Sequence, residues 1–208
     1  MDGVLLDSEQ IWDKAREEYT NDLGGKWTAS AQRDMMGMSS TEWSQYMHDH
    51  LGVPRSPEQI NEDVVDLIAQ IYHRDGFPII PGSVEAVQRL AERWPLGLAS
   101  SSNRPIIDLV MAETLFGPCF RVTVSSEEVP RGKPNPDVYL AAANKLGVDP
   151  SHCAGVEDSH NGILALHNAK MRAIAIPNKH YPPKDDALKF ADVVLDSIQE
   201  LTAEIVAP

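Results

Sequence analysis

The chain has 208 residues, 42% of them hydrophobic and 24% charged, enough for one sizeable core or one core with a small second unit. Its formal charge of -13 and pI of about 4.8 would repel a phosphate backbone, which argues against general nucleic-acid binding. No signal peptide and no apolar run of bilayer length is recognised, so a cytoplasmic protein without membrane partners is expected, and a monomer is compatible with the sequence.

In chain order, "MDGVLLDSEQ" reads as the end of a strand passing into a loop, with the body of that strand absent from the chain. From Ser8 to about Gly76 the pattern is helical. "SEQIWDKAREEYTNDLGG" carries an apolar stripe at Ile11, Ala15, Tyr19 and Leu23 and stops at Gly24-Gly25. A short helix capped by Thr28 follows, then one over "STEWSQYMHDHLG", then a long one with Ser56 as cap and Pro57 in its first turn. After "FPIIPG" helices and short apolar runs alternate: "SVEAVQRLAERW" leads to "PLGLAS", "PIIDLVMAETL" to "FRVTVSS", "PDVYLAAANKLG" to "CAGVED", and "HNGILALHNAK" to "RAIAIP", with a weaker "ADVVLD" and a last helix behind. That alternation predicts an α/β fold with a doubly wound parallel sheet, whose strand C-terminal ends face one crevice. Cys119 and Cys153 match no metal spacing and are read as two buried thiols rather than a disulfide.

Four motifs fall at strand ends or in the loops just beyond. Asp2 is followed by Gly3, which permits a tight turn under a ligand. Ser100, Ser101 and Ser102 end a strand before a helix starting near Asn103, and hydroxyls with free backbone N–H groups suit a phosphate. Lys133 stands between Gly132 and Pro134, a fixed positive charge at the sheet edge. Glu157 and Asp158 repel each other unless a divalent cation lies between them, and Mg²⁺ takes one or two carboxylates with waters and a substrate phosphate. Singly, each has a plain reading: a turn residue, a helix cap, a surface lysine, an acid pair favoured by a helix dipole. Their order along successive strands is what points to one site.

In that order, with a helical block inserted after the first, the motifs resemble the haloacid dehalogenase superfamily, and within it the β-phosphoglucomutase-like sugar-phosphate phosphatases. The resemblance implies a Rossmann-like core from residues 1–8 and 79–208, with an inserted helical cap from 9–78. It also implies Mg²⁺-dependent phosphoryl transfer to and from an aspartate, with a small phosphorylated metabolite as substrate. Asp2 matches the general acid/base, and its carbonyl a metal ligand. Ser100 matches the phosphate-binding hydroxyl, with Ser101 and Asn103 as further polar contacts; Lys133 matches the motif lysine, and Glu157 and Asp158 the metal acids. The nucleophilic aspartate and its strand are expected immediately before Met1, the methionine between the two aspartates having been taken for a start. The chain as it stands would then be inactive and poorly stable. In the mutases an arginine follows the Gly-x-Ser of the cap loop; here Gly37-Met38-Ser39 is followed by Ser40, and Arg33 is the nearest substitute. The order of readings is therefore phosphatase, then mutase, then a non-catalytic binding member of the fold.

Overall fold

The computed structural model describes residues 1–36 and 38–207; Gly37 of the cap-loop reading lies outside the described residues. Residues 1–7 form a turn, which corrects the expectation of a strand stub. The Met1 carbonyl accepts from the Leu5 N–H at 2.7 Å, and the Gly3 N–H donates to the Leu6 carbonyl at 2.8 Å. Val4, Leu5 and Leu6 are buried in this turn. Asp7 donates to the Pro78 carbonyl and Ile80 to the Leu5 carbonyl, which pins the turn to the segment leaving the helical block.

The helical block contains α1 (Glu9–Asp22), α2 (Ala31–Met35), α3 (Ser40–Asp49) and α4 (Pro57–Asp75). Ser56 caps α4 as expected, accepting from the Gln59 N–H, and Ser39 with Glu42 closes a capping box on α3. Thr28 does not cap α2: the helix starts after Ser30, and Thr28 contributes its carbonyl to the Ala31 N–H. The buried face of α1 is Trp12, Ala15, Arg16 and Thr20, turned from the expected stripe, whose Ile11, Tyr19 and Leu23 are only partly buried. An arginine on the inward face is what a count of apolar residues rejects.

The alternating half is α5 (Ser83–Ala91), β1 (Leu96–Ser100), α6 (Arg104–Glu113), β2 (Phe120–Ser125), α7 (Asp137–Leu146), β3 (Ala154–Glu157), α8 (His160–Asn168), β4 (Arg172–Ala175), α9 (Asp185–Leu188), β5 (Val193–Val194) and α10 (Ala203–Val206). Every strand pair is parallel, as crossover helices require. Cys119 and Cys153 are free thiols, and both are partly exposed rather than buried. No helix among the described residues is long and apolar enough to cross a membrane.

The strands fall into two sheets, β1–β2 and β3–β4–β5. One edge of β1 and one of β3 stay unpaired, and both line a single slot of about 590 Å³. Leu96 to Ala99 form one side of it and Ala154 to Glu157 the other, with α5 (Ala86, Val87, Leu90) and α7 (Tyr139, Ala142, Leu146) supplying walls. A parallel strand buried on both faces would fill it with apolar side chains and hydrogen-bond to both edges.

Candidate active site

Asp2, Ser100, Ser101, Asn103, Lys133, Glu157 and Asp158 all line one small cavity, of about 70 Å³. They reach it from the N-terminal turn, the C-terminal ends of β1 and β3, and the loop before α7. Ligands of parallel α/β sheets collect at that end. Its roof is the helical block, through Trp12, Arg16, Met35, Met36, Met38 and Trp43. The volume is far below the roughly 300 Å³ where small-molecule sites begin.

The Asp2 carboxylate is held from both sides: the Ser8 hydroxyl donates to Oδ1 at 2.5 Å and the Ser102 hydroxyl to Oδ2 at 2.6 Å. Ser100 is buried, and its Oγ accepts from the Ser102 N–H at 3.1 Å, which folds the serine loop back over the strand end. The Asn103 amide donates to Asn61 on α4 and to Glu127, so it bridges the helical block and the sheet. Ser40 on α3 donates to the same Glu127 carboxylate at 2.6 Å, and Asn161 donates to the Met36 carbonyl at 3.0 Å.

Lys133 is buried, with Nζ 2.5 Å from Glu157 Oε1 and 5.0 Å from the Tyr139 ring centroid. The Tyr139 hydroxyl donates to the same carboxylate oxygen. Burial alone would raise Glu157, but the Lys133 ammonium and the Tyr139 hydroxyl outweigh it and hold the carboxyl below its ordinary value. Asp158 is pushed up to about 7, first by burial and then by the adjacent Glu157, against the pull of the Met1 ammonium. Its Oδ2 accepts from Asn178 at 3.2 Å. A divalent cation beside it would hold it ionised. No three His, Cys, Asp or Glu side chains among the described residues form a ready metal cage. The donor set of one or two carboxylates with room for a phosphate fits Mg²⁺, which keeps waters of its own.

Gly3 is required here twice. Its φ is +70°, and a Cβ would lie 1.9 Å from Asp158 Oδ2. Gly3→Ala is expected to cost about 1–2 kcal/mol from the left-handed backbone alone. The clash adds to that and displaces Asp158; urea denaturation measures the sum.

Several lining residues carry no signal in the sequence reading. Ser102, together with Ser8 from outside the lining, orients Asp2, and Ser102 lay within the serine run without a role of its own. Glu9 is pushed up to about 8, first by burial and then by Asp158 and Asp2, and its carboxylate accepts from Gln32 at 2.8 Å. Arg16 and the tryptophans beside it were unforeseen, though a Trp-x-x-x-Arg spacing puts both side chains on one helix face. Arg33 is exposed and does not line the cavity. His48 and His50 are exposed.

The family model described as haloacid dehalogenase-like hydrolase matches residues 1–170. Hexitol phosphatase B of Escherichia coli (strain K12) is 35% identical over 210 residues, covering 98% of this chain and 92% of that protein. A probable pseudouridine-5'-phosphatase of Drosophila melanogaster is 30% identical over 219 residues, covering 98% and 90%. The crystal structure of CbbY from Rhodobacter sphaeroides in complex with phosphate shares the fold, with a TM-score of 0.86 at 23% identity, covering 100% of this chain and 96% of that one. With most of its length matched and relatives above 30% identity along nearly all of it, the chain belongs to the haloacid dehalogenase-like hydrolases and is by family an enzyme.

Proposed function

We propose that this protein hydrolyses the phosphate ester of a small sugar or sugar alcohol in the cytoplasm, through an aspartyl-phosphate and with Mg²⁺. The observation that carries the reading is the convergence of Asp2, Ser100, Lys133 and Asp158 on one cavity, in a chain 35% identical to a hexitol phosphatase. On this reading residues 9–78 are the cap that closes over a core of 1–8 and 79–208.

Asp158, Glu157 and the Asp2 carbonyl would hold the metal, which when bound neutralises charge on the phosphoryl oxygens. Ser100, Ser101 and Asn103 position the phosphate, and Lys133 adds a fixed charge beside it. A carboxylate oxygen attacks phosphorus and forms an acyl phosphate, the bond from phosphorus to the sugar oxygen breaks, and Asp2 gives that oxygen a proton. Water then attacks phosphorus, Asp2 takes its proton, and phosphate leaves with the carboxylate restored.

The attacking carboxylate needs a source. Among the described lining residues Asp2 is held by Ser8 and assigned as the acid/base, Glu157 is engaged by Lys133, Asp158 is bonded to Asn178 and assigned to the metal, and Glu9 is bonded to Gln32. Met1 lines both the cavity and the slot between β1 and β3. A strand seated in that slot, ending in aspartate immediately before Met1, would deliver the nucleophile. The lack of a spare carboxylate is also what favours the second reading, a binding protein without turnover. Phosphate release from glucitol 6-phosphate, fructose 6-phosphate and pseudouridine 5'-phosphate by strand-complete protein separates the two. Release that needs Mg²⁺ and stops in EDTA is the expected result; release unchanged in EDTA, or none from any ester, would sink the proposal.

A further inference from the structure

Arg16 is a buried cation whose guanidinium is incompletely bonded: Glu9, Asp2 and Asp13 act on it through space, but none is within ion-pair distance among the described residues. It is 7% exposed, yet lines the active-site cavity from α1. Its guanidinium carbon lies 4.7 Å from the ring centroids of both Trp12 and Trp43, which meet edge to face at 6.4 Å. Its hydrogen bond to protein is from Nη1 to Gln32 Oε1, at 3.3 Å, and its Nε is buried with no partner. Among the described residues it forms no ion pair. Burial lowers it to about 10, against the pull of Glu9, Asp2 and Asp13, which still leaves it charged near neutrality.

A guanidinium carries five N–H donors in a fixed plane. Buried charges are ordinarily paired, and leaving the donors of one unmet is costly. The two tryptophan faces strip water from the group and fix its plane, but they accept none of its in-plane hydrogen bonds. What completes such a site is a planar or tetrahedral anion gripped at two points. The same cavity already holds the groups suited to one phosphate, at Ser100 and Lys133.

We propose that Arg16 is a specificity-determining residue that binds a second anionic group, a phosphate or a carboxylate, at the far end of the substrate. The proposal rests on the phosphatase reading and narrows it: the preferred substrate carries two anionic groups rather than a neutral polyol tail. The cation that the loop at Met38 to Ser40 lacks is thus supplied by α1. The ordinary alternative is that Arg16 only cements α1 to α3 through the tryptophans, a role that is indifferent to the ligand's charge.

Titration calorimetry in Mg²⁺ with fructose 1,6-bisphosphate, 3-phosphoglycerate and fructose 6-phosphate tests this on wild type, Arg16→Gln and Arg16→Lys. The wild type is expected to bind at least one of the two-anion ligands about tenfold or more tighter than fructose 6-phosphate. Arg16→Gln is expected to erase that preference while changing fructose 6-phosphate binding by less than about twofold, with Arg16→Lys in between. Which of the two ligands shows the preference identifies the second group as phosphate or carboxylate. An equal loss for all three ligands, or no preference in the wild type, overturns the proposal. If Arg16→Gln does not fold, the wild-type preference decides alone. Binding of fructose 6-phosphate without any preference leaves the phosphatase reading intact and defeats only this inference; no binding of any of the three defeats both.

Discussion

Placing a five-residue apolar segment ending in aspartate ahead of Met1 raises the thermal midpoint of this protein by more than about 10 °C, on the expectation of a few kcal/mol gained at roughly 2–4 °C per kcal/mol. The slot between β1 and β3 is the reason. It holds about 590 Å³ of largely apolar space between two unpaired parallel edges. A seated strand gives those edges their hydrogen bonds and buries its side chains against Val87, Leu90 and Ala142. Hydrogen exchange localises the effect: amides of Leu98 and Val156 gain protection, while those of α3 in the helical block change little. A segment with alternating charges in place of the apolar residues gives no such gain. An equal rise from both segments would mean that the slot has collapsed and takes no strand.

The second large effect is at Lys133. Truncating it to alanine strips Glu157, buried beside Asp158, of the cation bonded to it. Removing one partner of a buried ion pair costs about 3–5 kcal/mol. The same substitution is expected to lower kcat by about 10²- to 10³-fold, because a preorganised charge at the phosphoryl group is lost. The two losses separate in a double variant. Lys133→Ala with Glu157→Gln recovers stability in urea denaturation, since no unpaired charge remains, and recovers no phosphate release. A Lys133→Ala protein within twofold of wild type in turnover would remove the lysine from the mechanism.

Much of this was legible in the sequence because the signals are local. The helix and strand alternation from Ser83 to Val194 follows from short apolar runs between caps and glycines, and its parallel pairing follows from the crossovers. The residues at strand ends converge because the sheet places them there, so Ser100, Lys133, Glu157 and Asp158 could be assigned to one cavity from their order alone. What escaped were residues fixed by tertiary contact. Arg16 faces inward because two tryptophans from different helices receive it, and periodicity alone favours Ile11 and Tyr19 instead. Residues 1–7 read as a strand by composition, but with no neighbouring strand paired to them they close into a turn on the Met1 carbonyl. The pairing of Lys133 with Glu157 spans 24 positions of sequence, and no local pattern announces it.

The most direct test of the account is turnover by two proteins that differ in one atom group: this chain extended by the apolar segment with aspartate before Met1, and the same chain with asparagine there. Both fill the slot and should melt together. The account predicts Mg²⁺-dependent phosphate release from a hexose phosphate by the aspartate protein, and at least about 10³-fold less by the asparagine protein, since the amide cannot form the acyl phosphate. Equal release by the two would contradict it, because the nucleophile would then lie elsewhere.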